Sequence, residues 1–392
     1  MTLKTNKRIY LDHSATTPVD PEVIKAMNSA MENSWGNPSS IHSDGRNARF
    51  LIEEARERVA DLMNALPNEI HFTSGGTEAD NWALRGIAHS LKEKGNHIIT
   101  AETEHPAVID SCKELEKEGF DVSYLFTDNR GSVHRHDLEA EIRPETVLIS
   151  IMHSNNEVGT INLVHKYVEA AHEAGVLFHS DMVQSYGKVP VDVKQLDVDL
   201  ASVSSHKIYG PKGVGALYIH SGIEIKQLLF GGHQERNRRG GTENVPGIVG
   251  FGKAAELRAS RLEQDSVKLK NLASSFFERL SEEVGGVKIN GHPTRRIPGH
   301  LSIVFDGVDG EALLMNLDTM GISASAGAAC SSGALKMSSV LKAIGLSADE
   351  ALGTLRVSFG RDNSEEDVNI AVEAIKEQVA RLRKTMPEAV TS

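Results

Sequence analysis

A glycine-rich turn at residues 73–78 is the first segment whose residue types could do chemistry. It reads Thr-Ser-Gly-Gly-Thr-Glu and follows an apolar, strand-like run. At such a junction the free backbone N–H groups and the dipole of the next helix favour a phosphate group, and the Thr77 hydroxyl could add a donor. An ordinary strand-to-helix turn with Thr77 as N-cap explains the same residues equally well, so the segment alone leaves both interpretations open.

Asp181 and Lys207 each follow a further apolar, strand-like run. Taken alone, Asp181 fits a helix N-cap better than a catalytic acid, and an isolated lysine such as Lys207 is usually solvated. However, Lys207 follows Asp181 by the length of about one strand–helix–strand crossover. Both side chains could therefore project into one crevice at the edge of a parallel sheet.

Together the three segments match the requirements of pyridoxal phosphate (PLP). This cofactor needs a lysine that forms a Schiff base, an acid that keeps the pyridine nitrogen protonated, and a cup for its phosphate. The protonated ring accepts electrons from a substrate carbanion, and burial near positive charge lowers the pKa of a lysine toward its nucleophilic, neutral form. The spacing of the residues suggests this combination without being specific to it.

Short apolar runs alternate with amphipathic helical stretches over the first two-thirds of the chain, which indicates an α/β fold with a largely parallel sheet. Strands are predicted at residues 69–73, 97–100, 122–125, 146–152, 176–179 and 200–203. Because right-handed crossovers place ligands at the carboxyl ends of such strands, the three segments should meet at one edge of the sheet.

The pattern changes after about Gly252, where a long helical run at 253–283 precedes short strands and a closing helix. We predict a large PLP-binding domain at residues 16–255 and a smaller α+β domain formed by residues 1–15 and 256–392. A run of small residues at about 323–336 lacks side chains that could anchor a core, which predicts a loop within the smaller domain.

The composition excludes several classes of function. The 392 residues carry a formal net charge of −12, whereas proteins that bind nucleic acid or anionic membranes normally show a basic surface. No uncharged apolar run approaches the roughly 18–20 residues of a membrane span. With Cys112 and Cys330 as the only cysteines, we expect no disulfide framework, no metal site and a cytoplasmic location.

Seven motifs, in order along the chain from about Ile9 to Arg383, resemble those of cysteine desulfurases of the NifS/IscS type. The most diagnostic is the lysine motif Ser-Ser-His-Lys-Ile-Tyr-Gly-Pro-Lys-Gly at 204–213. The others are Tyr-Leu-Asp-His-Ser-Ala-Thr-Thr-Pro at 10–18, Gly-Asn-Pro-Ser-Ser at 36–40, Ser-Gly-Gly-Thr-Glu at 74–78, Thr-Glu-His at 103–105, His-Ser-Asn-Asn-Glu-Val-Gly at 153–159 and Arg-Gly-Gly-Thr-Glu-Asn at 239–244.

The resemblance implies a fold-type I PLP-dependent transferase that has a mainly parallel seven-stranded sheet and works as a homodimer. Such an enzyme would remove sulfur from L-cysteine, leaving L-alanine and an enzyme-bound persulfide. The sulfur would then pass to an iron–sulfur scaffold or a sulfur-carrier protein, and no nucleic acid or membrane would be a partner.

The resemblance also implies roles at the cofactor. Lys207 would form the Schiff base, and Asp181 would hold the pyridine nitrogen. Gln184 would hydrogen-bond the phenolic oxygen of the ring, while His105 would stack on the ring and assist proton transfers. The phosphate would be bound by small or polar residues, with the last supplied by the other subunit: Gly76, Thr77, Ser204, His206 and Thr242.

For the substrate, the resemblance points to Asn156 and Arg356 as the residues that hold the carboxylate. The planar, two-pronged guanidinium of an arginine suits that task. The resemblance also implies that Cys330 is the nucleophile that takes up the sulfur. Cys330 is flanked by Ala, Ser and Gly, so its thiolate could travel, whereas Cys112 lies on a predicted helix and fits a buried small hydrophobe.

Two other hypotheses stay open. Another fold-type I PLP enzyme, such as an aminotransferase or a selenocysteine lyase, would keep Lys207 and Asp181 but would not need Cys330. A sulfur carrier or scaffold without turnover would bind no PLP and would be colourless when purified. Within the desulfurases, Ala328 and Ala329 stand where a Ser-Ala pair is commoner, and Met182 and Val183 are also unexpected, which puts loop behaviour in doubt more than chemistry.

Overall fold

A computed structural model describes residues 8–326 and 337–385 of the chain. Cys330 and most of the predicted loop at about 323–336 lie outside the described residues. The described ranges contain one sheet of seven strands, one of four strands and a two-stranded pair.

The seven-stranded sheet is built from the first two-thirds of the chain. The first strands are, in chain order, β1 (Ile9–Tyr10), β2 (Ile70–Thr73), β3 (His97–Ala101), β4 (Asp121–Leu125), β5 (Thr146–Ser150), β6 (Leu177–Asp181), β7 (Leu200–Ser204) and β8 (Gly215–Ile219). Strands β2 to β8 form this sheet in the order β2-β8-β7-β6-β5-β3-β4. Only β8 runs antiparallel to its neighbours, so the sheet is mainly parallel, which confirms the predicted fold class.

Helices cover both faces of this sheet. They are α1 (Pro21–Asn33), α2 (Ser43–Asp61), α3 (Gly76–Ser90), α4 (Pro106–Lys117), α5 (Arg135–Glu141), α6 (Val164–Glu173), α7 (Val193–Leu196) and α8 (Gln234–Asn237). Because successive strand residues face opposite sides, Ile99 and Ile149 pack in the core with α2 and α6, while Ile98 and Leu148 pack with α3 and α4. Fully buried strands of this kind read as continuous apolar runs, which made them visible in the sequence.

The last third of the chain forms a second, antiparallel sheet. Its elements are α9 (Val245–Glu283), β9 (Val287–Ile289), β10 (His300–Phe305), α10 (Gly310–Thr319), β11 (Ile322–Ser323), β12 (Ser325–Ala326), α11 (Ser339–Ala343), α12 (Ala348–Leu352), β13 (Thr354–Ser358) and α13 (Glu365–Thr385). The sheet order is β12-β13-β10-β9, and β1 pairs in parallel with β11. None of the helices in the two described ranges is long and apolar enough to cross a bilayer.

Helix α9 runs from one core to the other. Its early buried residues, such as Phe251, pack with the large sheet, whereas Phe276 and Leu280 pack with the small one. The predicted division between residues 255 and 256 falls inside this continuous helix and stays a prediction. The helix starts well before residue 253, since the Asn244 side chain caps it by accepting the Gly247 N–H.

Strand β8 is the one strand of the large sheet that the sequence pattern did not predict. It follows a glycine-rich loop after Lys207 and returns antiparallel to β7 without a crossover helix. The expected alternation of strand and helix therefore gave no signal for it.

A buried ion pair fastens α8 to the sheet. Both guanidinium Nη atoms of Arg56 donate to the Glu235 carboxylate, at 2.7 and 2.9 Å, and the pair is almost fully buried. Glu235 also accepts the Phe72 N–H at 2.9 Å. Glu235 itself has a φ of +44°, so these contacts hold a non-glycine residue in the left-handed region.

Glu235→Leu is expected to lower the free energy of unfolding by up to about 3–5 kcal/mol, because the buried Nη atoms of Arg56 then lose this carboxylate and Arg56 keeps only the partly exposed Glu53 as its counter-charge. The double variant Arg56→Met/Glu235→Leu should recover part of this loss. Urea unfolding at fixed protein concentration measures both. Glu114→Ala, which breaks an exposed pair with Lys117, is the control and should leave the midpoint almost unchanged. Equal midpoints for Glu235→Leu and the control would contradict the interpretation.

Candidate active site

The carboxyl ends of β6 and β7 and the start of α3 surround a cavity of about 290 Å³. Ten residues selected from the sequence line it: Gly76, Thr77, His105, Asn156, Asp181, Gln184, Ser204, His206, Lys207 and Arg356. The three segments identified first in the sequence therefore meet at one edge of the sheet.

Lys207 enters the cavity from a 3₁₀ turn that directly follows β7. Its Nζ donates to the backbone carbonyls of Ser14 and Ala15, each at 2.7 Å. Burial, reinforced by the positive charge of Arg356, lowers the pKa of Lys207 to about 8. The amine is thus held by neutral acceptors and is close to its neutral, nucleophilic form at physiological pH.

Asp181 ends β6 and is buried. Its Oδ1 accepts the Val183 N–H at 2.8 Å. Burial raises the pKa of Asp181, while His105, the Val183 N–H and Lys207 act in the opposite direction. A cationic ring nitrogen beside this carboxyl would provide the opposite charge that favours its ionised form.

Two further carboxyls, Asp80 and Glu104, are buried near Asp181. Burial and the negative charge of Asp181 raise the pKa of both groups well above the usual range. Glu104 Oε1 accepts the Met152 N–H at 2.7 Å, which ties the end of β3 to the end of β5. Of the three acids, Asp181 is the one whose protonation is opposed by a neighbouring cation, Lys207.

The N-terminus of α3 forms the opposite end of the cavity. Its first backbone N–H groups have no partner within the helix, as in any helix start, and the helix dipole adds positive potential there. A Cβ atom at Gly76 would lie 2.7 Å from Val183 Cγ2, so glycine is what allows the helix to approach the Asp181 turn so closely. The hydroxyls of Thr77 and Ser204 and the imidazole of His206 line the same cavity.

Glu78, in the first turn of α3, does not oppose an anion there. Its carboxylate accepts from Arg239 Nε at 2.9 Å and from the Ser74 N–H at 2.8 Å. Although burial raises the pKa of Glu78, the hydrogen bonds from Arg239 and Ser74 lower it overall. The negative charge is therefore compensated on the side of α3 where Arg239 lies.

His105 is the N-cap of α4, and its Nδ1 accepts the Ala107 N–H at 3.1 Å. Burial lowers the pKa of His105, which favours the neutral ring near pH 7. Because Nδ1 is an acceptor, the neutral imidazole carries its proton on Nε2. This atom is the one free to exchange a proton with a ligand.

Arg356, on β13, joins the small sheet to the cavity. Its Nη2 donates to Asp12 Oδ1 at 2.9 Å, and its Nη1 donates to the Asn156 carbonyl at 3.1 Å. Its buried Nε has no hydrogen-bond partner among the described residues. The guanidinium is thus oriented by two neighbours, and each Nη atom keeps a second N–H that is not used in these two bonds.

Among the selected residues that the structure describes, Thr242 does not line this cavity. Thr242 lies beside a different cavity of about 470 Å³, with Trp35 and Asn37. Cys330 lies outside the described residues.

Several residues of the site were missed in the sequence. The carbonyls of Ser14 and Ala15 belong to the motif at 10–18, but their contacts with Lys207 join residues 193 and 192 positions apart. Asp80 lies one turn after Gly76 on α3, so helical periodicity could have found it. Asn155 could not be found by pattern; its Oδ1 accepts from the Glu157 and Val158 N–H groups and shapes the turn that holds Asn156.

The donor and acceptor groups of the cavity fit PLP. A buried carboxyl suits a pyridinium nitrogen, a lysine of lowered pKa suits an aldehyde, and a helix start with two hydroxyls suits a phosphate. The glycine that permits close approach of α3 completes this set.

Comparisons with known proteins agree with this chemistry. The profile of the class-V aminotransferase family matches residues 9–370. A cysteine desulfurase IscS from Methanosarcina thermophila is 48% identical over 382 residues, covering 97% of this chain and 94% of the relative. A solved NifS-like protein is 38% identical with a TM-score of 0.90, covering 95% of this chain and 100% of that one. A structure described as SspA in complex with cysteine is 35% identical with a TM-score of 0.80. It covers 90% of this chain and 98% of that one.

The lowered pKa of Lys207 predicts how attachment of PLP to the apoenzyme depends on pH. The rate should rise about tenfold per pH unit below pH 8 and level off above about pH 9, because the neutral amine is the reacting form. Absorbance changes after mixing apoenzyme with PLP measure it. Arg356→Gln should move the midpoint upward, since it removes a positive charge that lowers the pKa of Lys207. A wild-type midpoint near 10.5 would refute the prediction.

Proposed function

The chain belongs to the class-V aminotransferase family, among relatives of the IscS and NifS-like type, and from this membership we propose that it is a PLP-dependent cysteine desulfurase. The proposed reaction removes sulfur from L-cysteine and gives L-alanine and a persulfide on Cys330. One observation carries the proposal: Lys207, Asp181 and the start of α3 share a single cavity with the polarity that PLP requires.

When bound, PLP supplies an aldehyde that reacts with amines and a ring that accepts the electrons released as the substrate Cα–H bond breaks. Asp181 would hold the ring nitrogen in its protonated form, and Gln184 would donate to the phenolic oxygen. Thr77, Ser204 and His206 would bind the phosphate with the N–H groups of α3.

Lys207 and His105 are proposed to move the protons. The lowered pKa of Lys207 makes its amine both a nucleophile toward the aldehyde and a base toward the substrate Cα–H. His105 is neutral near pH 7 and carries a proton on the Nε2 atom that is not used by the Ala107 N–H. Its Nε2–H can therefore donate to, and share its proton with, an acceptor atom in the cavity.

Arg356 and Asn156 are proposed to hold the substrate carboxylate. The guanidinium of Arg356 is fixed by Asp12 and by the Asn156 carbonyl, and each Nη atom has a second N–H to offer a carboxylate. Because the two residues are bound to each other, a carboxylate seated between them would be held in one orientation.

Cys330 is proposed to take up the sulfur. Its thiolate would attack the substrate sulfur and form the S–S bond, while the C–S electron pair stays on carbon. That carbon is then protonated, and alanine leaves. We infer that the persulfide passes to an iron–sulfur scaffold or a sulfur-carrier protein, and that the reducing cytoplasm, which keeps thiols such as buried Cys112 free, is the location.

A homodimer is also part of the proposal. Large apolar side chains are exposed near Thr242: Trp35 is 75% exposed and lines the same cavity as Thr242, and Phe230 is 83% exposed. Exposed aromatic side chains in a group are typical of an interface. A second copy that covers them would bring its Thr242 to the phosphate end of the neighbouring site.

Cys330→Ala is expected to lower sulfide and alanine formation from L-cysteine by about 100-fold or more, because the nucleophile is lost. The visible absorption of bound PLP should be unchanged. Cys112→Ala is the matched control: this cysteine is buried in the core, and burial raises its pKa to about 12, so turnover should be unaffected. Full sulfide and alanine formation by Cys330→Ala would mean that Cys330 is not the nucleophile.

Mixed dimers test whether Thr242 acts across the interface. Lys207→Ala protomers lack the amine, and Thr242→Val protomers are expected to bind PLP about tenfold more weakly. If Thr242 serves the partner's site, a mixed dimer has one intact site, and a random mixture should regain about one quarter of wild-type activity at limiting PLP. No recovery, with dimers confirmed by light scattering, would mean that Thr242 serves its own protomer or neither site.

A further inference from the structure

Lys188 is a lysine beside the active site to which neither the sequence motifs nor the proposed reaction gives a role. It lines a small cavity of about 30 Å³ behind the main one, and Lys207 lines both cavities. Burial lowers the pKa of Lys188 well below the usual range, and the charge of Lys207 acts in the same direction. A lysine placed at such a cost requires a reason in the structure.

The surroundings of Lys188 contain little that could neutralise it. The titratable or charged groups around it are three cations, four neutral rings and one carboxylate: Lys207, Arg258, Arg356, His13, His206, His300, Tyr209 and Asp12. Asp12 is already paired with Arg356 at 2.9 Å. The hydrogen bond that Lys188 makes is to a neutral group, the side-chain oxygen of Gln184, at 2.7 Å.

The chain is folded so that Lys188 reaches Gln184. The two residues are four apart in a helical turn, in which the Lys188 N–H donates to the Ser185 carbonyl. Gly187 has a φ of +66°, and a Cβ atom there would lie 2.8 Å from Ile208 Cγ2. Glycine is therefore needed for the turn that brings Lys188 back toward the cavity.

A backbone carbonyl can only accept hydrogen bonds, so the Ser14 carbonyl meets the Nε2 end of the Gln184 amide. Oε1 then lies on the other side, where the Lys188 amine donates to it. One Nε2–H donates to the Ser14 carbonyl at 2.8 Å. The same carbonyl also accepts a hydrogen bond from Lys207. The second Nε2–H is then the donor available to a ligand in the cavity that Gln184 lines.

We propose that Lys188 is a positioning residue that locks the Gln184 amide with its N–H donor toward the phenolic oxygen of PLP. This inference rests on the proposed cofactor chemistry and adds a residue to it. A donor at that oxygen stabilises its anionic form. Without Lys188 the amide loses one of its two fixed partners, and its donor is no longer held toward the ring.

The pH titration of the visible absorption of bound PLP tests the proposal in the holoenzyme. Lys188→Met keeps the length of the side chain but removes the donor, and it should raise the titration midpoint by about 0.5–1 pH unit. Gln184→Leu should raise the midpoint at least as much. In the Gln184→Leu background, Lys188→Met should add no further shift, because Lys188 acts through Gln184.

Two controls separate this role from folding and from simple charge effects. Lys194→Met, in the short helix α7, should leave the midpoint unchanged, and thermal unfolding should show that the Lys188 variants fold. If the Lys188→Met protein does not fold, Lys188→Leu replaces it. The proposal is wrong if no variant with an apolar residue at position 188 folds. It is also wrong if Lys188→Arg, which keeps a donor, shifts the midpoint.

The outcomes distinguish the inference from the proposed function. No shift in Lys188→Met, or an equal shift with and without Gln184, would overturn the positioning role while leaving the desulfurase proposal intact. An equal shift in both backgrounds would mean that Lys188 acts by charge alone. A wild-type protein without any visible PLP band would overturn the proposed function and, with it, this inference.

Discussion

Lys207 and Asp181 are ionisable groups of opposite sign that line the same cavity. In the described part of the chain, residues 8–326 and 337–385, they form no ion pair with each other. Lys207 is held by two carbonyls, and Asp181 is held by a backbone N–H. Burying such groups unpaired costs free energy, which the two large hydrophobic cores must supply. The site is therefore prepared for a ligand that carries the complementary groups, and the rest of the architecture serves to keep these two apart.

The register of the sheet maintains this separation. Asp181 pairs with Ser202 across β6 and β7. The 3₁₀ turn that carries Lys207 therefore lies beyond the last paired residues of these strands. Two further acids lie nearby, Asp80 and Glu104. Burial raises the pKa values of both, and no neighbouring cation among the described residues lowers either pKa, so both favour the protonated form. Asp181 is the one of the three with a neighbouring cation, Lys207, favouring its ionised form. This difference supports the proposal that Asp181 is the acid that would meet the ring nitrogen.

Much of this arrangement follows from local sequence. Buried parallel strands read as apolar runs, and Asp181 and Lys207 follow two such runs, which is enough to predict that both lie at one edge of the sheet. The contacts that tune these groups could not be predicted, because they join distant parts of the chain: the Ser14 carbonyl reaches both Gln184 and Lys207. Lys188 was missed because a lone lysine in a sequence is expected to be solvated.

The small sheet places the described residues on either side of 327–336 near the proposed substrate-binding residues. Strand β12 pairs with β13 so that Ser325 lies opposite Arg356, the proposed carboxylate-binding residue. Where the described chain resumes, Ser338 donates to the carboxylate of Glu157, the neighbour of Asn156. These two ends of the described chain are thus fixed beside Arg356 and Asn156, which both line the cavity.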